Sequence, residues 1–377
     1  MQERIEGRSV GLNYLLRAAR PIVDAVKEFK LLIPLIVAYV LAVEVIMMVL
    51  TNRTSGLLSG YGNIANIWHG HLLPYLIHRV GPFVIVSAMV GAVWILFSHF
   101  YRPLPRVSLS HRIIKTLKFA TAPERLVRLC IFIMIFMPFM TSFSSFKAAI
   151  PDLAVREWDF TFAEIDRTLH GQTDPWHVTW ALFGSPSGTV FLDQVYSSWF
   201  LVVFTAPFAC LYFDNNASRR VRFITAHALL WMVLGSAMAW AFFSVGPCYL
   251  EPIYGVDAGF APLMDKLYAI NETSPLTAIV LQETLLDAYQ GGVGKYEGLS
   301  AMPSLHVAQA VLVACLAQSY GRIAGALAWG YATLILIGSI HLGWHYAIDG
   351  YVSVVMTMAI WWMLGGWQRQ VQVPNAA

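Results

Sequence analysis

Two histidines and one aspartate in the last quarter of the chain have the residue types and the spacing of a reactive site. His306 opens one apolar run, and His345 and Asp349 follow a second apolar run of nearly equal length. A short turn at Gly321 and Arg322 joins the runs, so they are predicted to form antiparallel neighbours. Two helices of equal length, each rising about 1.5 Å per residue, bring His345 back to the depth of His306. We therefore expect the three side chains to share one substrate.

The surroundings of His306 favour an anionic ligand. His306 follows Pro303 at a predicted helix start, where free backbone amides and the helix dipole attract negative charge. A glycine-rich stretch that contains one cation, Lys295, leads into this helix. The pattern suits a phosphate group.

The spacing of His345 and Asp349 suits nucleophilic or acid–base chemistry. Residues at i and i+4 share one helix face, so Asp349 can bond one imidazole nitrogen and leave the other free to attack or to accept a proton. His306 can supply a proton to the leaving oxygen. His341 lies one i+4 step earlier, so a metal site of His341, His345 and Asp349 is an alternative. No further ligand cluster accompanies them, and we expect neither a metal nor another cofactor.

The composition is that of a polytopic membrane protein. Of 377 residues, 57% are hydrophobic and only 12% are charged, which is too apolar for a soluble chain of this size. We expect an all-α membrane helix bundle with about eight transmembrane helices. Stretches long enough to cross roughly 30 Å of hydrocarbon occur at 31–50, 82–100, 129–147, 189–213, 223–245, 303–320, 323–341 and 347–366.

These stretches suggest two parts. Residues 1–125 are predicted to hold an N-terminal interfacial helix, two accessory transmembrane helices and a basic cytoplasmic loop. Residues 126–377 are predicted to form a six-helix catalytic membrane domain. The fifth to seventh stretches contain Gly, Gln or Ser and are expected to pack inside the bundle.

The basic residues predict the orientation. Most of the 25 Lys and Arg residues fall within residues 1–30, the 101–128 loop, the 214–222 loop, the turn at Arg322 and the C-terminal tail. The positive-inside rule then places the N-terminus in the cytoplasm and the histidine site on the outer face, towards a periplasm or a lumen. The protein is expected in an inner or plasma membrane if it is bacterial. Because topology accounts for the net charge of +3, we expect membrane lipids as partners and no nucleic acid.

The two histidine segments resemble a known family. PSLH (303–306) and HLGWHYAID (341–349) are similar to the last two signatures of the type 2 phosphatidic acid phosphatase superfamily, and more closely to its inositol phosphorylceramide synthase branch. FFSVGPCYLEP (242–252) occupies the place of the first signature. The resemblance implies a six-helix phosphatase-type core and a phosphohistidine mechanism. It assigns His345 as nucleophile, Asp349 as its orienting partner and His306 as general acid.

The chain departs from the common family pattern at the positions that bind phosphate. Gly338 and Ser339 stand where the third signature has Ser-Arg, and Gly246 and Pro247 replace the cationic part of the first signature. Leu305 stands where the second signature has Gly. The resemblance therefore does not identify the groups that bind the phosphate. The candidates are Ser304, Lys295 and the amides around His306. His341 and Asp193, an acid near the outer end of the fourth helix, are further substrate-binding candidates.

The sequence predicts an integral-membrane lipid phosphotransferase that moves a phospho-headgroup between lipids through a phosphohistidine. Loss of the family's arginine favours this interpretation. The alternative is a lipid phosphate phosphatase that uses water as the acceptor. A non-catalytic lipid-binding scaffold and a transporter fit less well, because the three reactive residues are intact and intramembrane carboxylates are scarce.

Overall fold

The regular structure of the protein is helical throughout its described part. A computed structural model describes residues 19–51, 110, 114, 117–119, 121–291 and 298–371, with side chains to residue 366. The helices are α1 (Leu32–Thr51), α2 (Pro123–Leu153), α3 (Asp159–Leu169), α4 (Pro175–Phe183), α5 (Pro186–Ser197), α6 (Trp199–Phe213), α7 (Ala217–Met232), α8 (Ala239–Ala241), α9 (Leu250–Tyr254), α10 (Ala261–Thr273), α11 (Thr277–Tyr289), α12 (Leu305–Gln318), α13 (Arg322–His341) and α14 (Ala347–Val371).

Six helical segments of the described residues are long and apolar enough to cross a membrane. They are α1, α2, α5 with α6, α7 through α8, α13, and α14 as far as Gly366. The predicted class, a polytopic all-α membrane bundle, is confirmed. The predicted span at 82–100 lies outside the described residues, as do residues 10–18 of the interfacial helix predicted within 10–29. The division of the chain at residue 125 stays a prediction.

The predicted span at 303–320 is shorter than expected. Its helix, α12, has 14 residues, because the chain before Leu305 is not helical and Ser304 caps the first turn. The Ser304 hydroxyl accepts a hydrogen bond from the Val307 amide at 3.4 Å, as N-cap serines do. Residues 298–304 instead lie against other loops at the site.

The described residues divide into two compact units, with the boundary between residues 136 and 137 inside α2. One unit includes residues 19–30 and 121–136, in which Arg128 donates to Glu28 at 3.1 Å. The other includes residues 31–51 and everything described after 136. All of the candidate site residues that the structure describes belong to this second unit.

Within the second unit, α12 and α13 form the predicted hairpin. The two helices pack extensively against each other, α5 packs on α13, and α14 packs on α12 and α7. Of the six spans, α7 through α8 is the most enclosed, as its Gly and Ser content predicted. The same expectation is wrong for the seventh stretch, α13, which is no more buried than α14. Between α7 and α8 the helix widens into a π-helical turn, Val233–Met238.

Candidate active site

His345 and Asp349 form a buried hydrogen-bonded pair where α14 begins. Nδ1 of His345 lies 3.2 Å from Oδ2 of Asp349, and the same oxygen accepts the Tyr346 amide at 3.2 Å. Asp349 is fully buried and His345 is 8% exposed. Burial lowers the pKa of His345 below its ordinary value, which favours the neutral imidazole that a nucleophile requires. The geometry can hold the ring in one orientation.

His306 lies beside this pair at the start of α12. Its ring centroid is 6.3 Å from that of His345, so the hairpin brings the two predicted histidines to the same end. Tyr196 stacks on His306 at 4.6 Å with the rings 13° apart, and Trp199 lies at 4.0 Å. Phe200 meets the ring edge-on at 5.9 Å. The imidazole therefore stands in an aromatic wall contributed by α5 and α6.

Ser304 holds the two histidine segments together. Besides capping α12, it donates its amide to the Asp349 carbonyl at 3.4 Å, and its side chain is fully buried. Direct substrate binding by Ser304 stays a prediction. Lys295, the other phosphate candidate, lies outside the described residues.

His341 is close in sequence to the pair but has its own contacts. Its Nε2 lies 3.0 Å from the Thr189 hydroxyl, and its ring stacks on Trp180 at 4.7 Å. Nδ1 is buried and has no hydrogen-bond partner among the described residues. No group of three or more His, Cys, Asp or Glu side chains in the described ranges could hold a metal ion. The alternative metal site of His341, His345 and Asp349 is therefore not supported.

Asp193 supports the site through another helix. Its two carboxylate oxygens accept the amides of Thr277 at 2.9 Å and Ala278 at 2.8 Å, so it caps the first turn of α11. Further along α11, Gln282 donates to the Leu342 carbonyl at 2.8 Å. Asp193 thereby steadies the turn that carries His345. Its predicted substrate contact stays untested.

Asp159 is a buried carboxylate near the pair whose contacts sequence reasoning missed. It accepts the amides of Val245 and Gly246, each at 2.9 Å, and the hydroxyl of Tyr346 at 3.0 Å. It thus ties the segment after α8 to the residue next to His345. Burial raises the pKa of Asp159.

Asp166, on the same face of α3, caps the helix that carries Asp349. Its carboxylate accepts the amides of Ala347 at 2.6 Å and Ile348 at 2.9 Å. Burial raises the pKa of Asp166 from 3.8 to about 6. The sequence holds a signal for this role, since Asp159, Phe162 and Asp166 recur at helical spacing and so share a face.

Comparison with known families identifies the bundle. Residues 161–363, more than half of the 377, match the family model described as the PAP2 superfamily. The chain belongs to the PAP2 superfamily. The PAP2 match includes His306, His345 and Asp349, and it makes the protein an enzyme of the phosphatase and phosphotransferase type. No curated protein and no solved structure gave a significant match.

Proposed function

We propose that this PAP2 protein is an integral-membrane lipid phosphotransferase, similar to inositol phosphorylceramide synthase, that works through a phosphohistidine. The observation that carries the proposal is the bonded pair of His345 and Asp349 with His306 beside it. In this proposal His345 is the nucleophile, Asp349 fixes its tautomer and His306 is the general acid and base.

The proposed reaction has two displacements at phosphorus. The free nitrogen of His345 attacks the phosphodiester of the donor lipid, a P–N bond forms, and the P–O bond to the lipid alcohol breaks while His306 protonates that oxygen. The acceptor hydroxyl then gives its proton to His306 and attacks the same phosphorus, which breaks the P–N bond. The headgroup phosphate moves and the enzyme returns to its starting state.

The surroundings of His306 support a lipid hydroxyl rather than water as the acceptor. The general acid packs against Tyr196, Trp199 and Phe200, an aromatic wall that matches a lipid better than bulk water. The absence of the family's arginine at Gly338 and Ser339 also favours a lipid hydroxyl as the acceptor. We further propose that the site opens to the outer side of the membrane.

The test is a transfer assay on purified protein in nanodiscs. The donors are phosphatidic acid, phosphatidylinositol and phosphatidylglycerol, each with and without ceramide or diacylglycerol, and products are read by mass spectrometry. Wild type is compared with His345→Ala and with His177→Ala, a matched control because His177 is an exposed histidine on α4. We expect transfer in wild type and the control, and none in His345→Ala.

Two other results would replace the proposal. Free phosphate that depends on His345, without any transferred headgroup, would assign a lipid phosphate phosphatase. Equal turnover by wild type and His345→Ala would exclude the phosphohistidine mechanism.

A further inference from the structure

The second half of α2 lies against the segments that form the active site. Phe146 and Ile150 belong to one buried cluster with Val245 and Leu299. Trp344, which precedes His345, packs against this cluster. Lys147 lies between Phe146 and Ile150, within the same turn of α2.

The backbone of Lys147 is held against the chain that enters α12. A Cβ added to Gly298 would collide with the Lys147 carbonyl, so only a glycine permits this approach. One turn earlier, Phe143 packs edge-on against Trp231 at 4.8 Å. Both contacts fix Lys147 beside the approach to His306.

The charge of Lys147 acts on the site. Lys147 shares one face of α2 with the buried side chains of Phe143 and Ile150. Its charge is electrostatically coupled to His306 and His345. No carboxylate in the described part of the chain pairs with it, and the side chain is half-buried. An unpaired cation in such a place is costly unless it loses its proton or meets an anionic ligand.

Buried hydrogen-bond donors with no partner lie around the same histidines. Tyr196, which stacks on His306, also lies 6.4 Å from the ring of Trp344. Among the described residues, the hydroxyl of Tyr196 and the indole nitrogens of Trp344 and Trp199 have no hydrogen-bond partner. Buried polar groups are usually satisfied, so these donors are available to a ligand.

We propose that Lys147 binds the phosphoryl group at the active site, in place of the arginine that the family signature would supply. The inference rests on the proposed function, because it concerns the same phosphate. Lys147 precedes the residues that match the family model, 161–363. A lysine cation in a low-dielectric site stabilises the negative charge that develops on the phosphoryl oxygens.

Phosphate binding can be measured without turnover. We would titrate inorganic orthovanadate and inorganic phosphate against detergent-purified protein and follow the midpoint of thermal unfolding. Lys147→Met removes the charge, Lys147→Arg keeps it, and Lys266→Met is the matched control. Lys266 is exposed on α10 and lies over the rings of Trp176 and Trp180. We expect roughly tenfold to hundredfold weaker anion binding in Lys147→Met, recovery in Lys147→Arg and no change in the control.

The outcomes separate this inference from the proposed function. If wild type transfers headgroups but Lys147→Met binds both anions as tightly as wild type and keeps the wild-type KM, the Lys147 inference is wrong and the function stands. If no transfer occurs but Lys147→Met still loses anion binding that Lys147→Arg retains, the inference stands and the function is wrong. A third outcome is that Lys147→Met and Lys147→Arg both lose anion binding although size-exclusion chromatography shows that both are folded. Position 147 would then act through the shape of its side chain rather than through its charge, and the inference would be overturned.

Discussion

The oxygen that orients His345 is shared. Oδ2 of Asp349 serves both the imidazole and the Tyr346 amide, while Oδ1 is buried without a partner in the described residues. The backbone amide holds the carboxylate in place, so the carboxylate can hold the ring. The orientation of the proposed nucleophile therefore depends on one acceptor atom.

Asp349→Asn tests this dependence. The amide has a similar shape but accepts more weakly and can present a donor to the ring, which favours the wrong tautomer. We expect kcat for headgroup transfer to fall by roughly 100-fold to 10,000-fold, with little change in KM. Steady-state kinetics and trapping of the phosphohistidine would check it, and an unchanged kcat would contradict the orienting role.

The sequence predicted that His306, His345 and Asp349 lie together because two local rules join them. An i+4 spacing joins His345 to Asp349, and a hairpin of equal helices joins both to His306. Lys147 and Asp159 follow no such rule. They reach the site from α2 and α3, and hydrophobic periodicity predicts which face of a helix is buried but not which distant segment lies against it.

Among the elements, α3 lies outside the membrane spans but supports the backbone of the candidate site. It presents two carboxylates, Asp159 and Asp166, to the backbone around His345. A carboxylate at the first turn of α14 also complements the helix dipole. The position of Asp349 thus depends on a helix that contributes no atom to the proposed chemistry.

The pKa of Asp166 predicts a pH dependence of stability. Because its folded pKa is raised from 3.8 to about 6, the fold favours the protonated carboxyl. The free energy of unfolding should therefore decrease as pH rises from about 4 to about 6 and level off above that, by about 3 kcal/mol at most.

Thermal unfolding in detergent between pH 4 and pH 8 would check this. Asp166→Asn cannot titrate, so the melting temperature of wild type should fall relative to that variant as pH rises to about 6. Asp265→Asn, an exposed position on α10, is the control and should follow wild type. A constant difference between wild type and Asp166→Asn across the range would contradict the assignment.

The short α12 shows where element prediction failed. The predicted run, 303–320, is long enough to span, but Ser304 near its start donates its amide to the Asp349 carbonyl at 3.4 Å, and the residues just before the run are bound to another segment. Ala301 donates its amide to the Ser244 carbonyl at 2.8 Å, and Met302 donates to the Ser244 hydroxyl at 3.1 Å. The length of an apolar run does not reveal that the residues at its start and just before it bind other segments.

At the scale of the whole molecule, the hairpin of α12 and α13 places the candidate site at one of its two ends. His306 begins α12 and His345 follows α13, whereas the turn between these helices, with Arg322, lies at the opposite end. The positive-inside rule predicts that the Arg322 end faces the cytoplasm.

Cysteine labelling in intact cells would test this orientation. The four native cysteines, Cys130, Cys210, Cys248 and Cys315, are first replaced by serine or alanine. We expect a membrane-impermeant maleimide to label Glu272→Cys, on α10 at the site end, and to label Arg322→Cys only after permeabilisation. If only Arg322→Cys were labelled in intact cells, the Arg322 end would face outward and the predicted orientation would be wrong.

The π-helical turn Val233–Met238 contains one residue more than an α-helix of the same height would use. Removing one residue there would restore ordinary helical geometry and turn everything beyond it by about 100°. Ser244 would then point away from Met302, and Val245 away from Asp159. The helix itself would lose little stability, but the contacts that hold both histidine segments in place would be broken. The geometry of the active site therefore depends on the number of residues in this turn and not only on the identity of any one side chain.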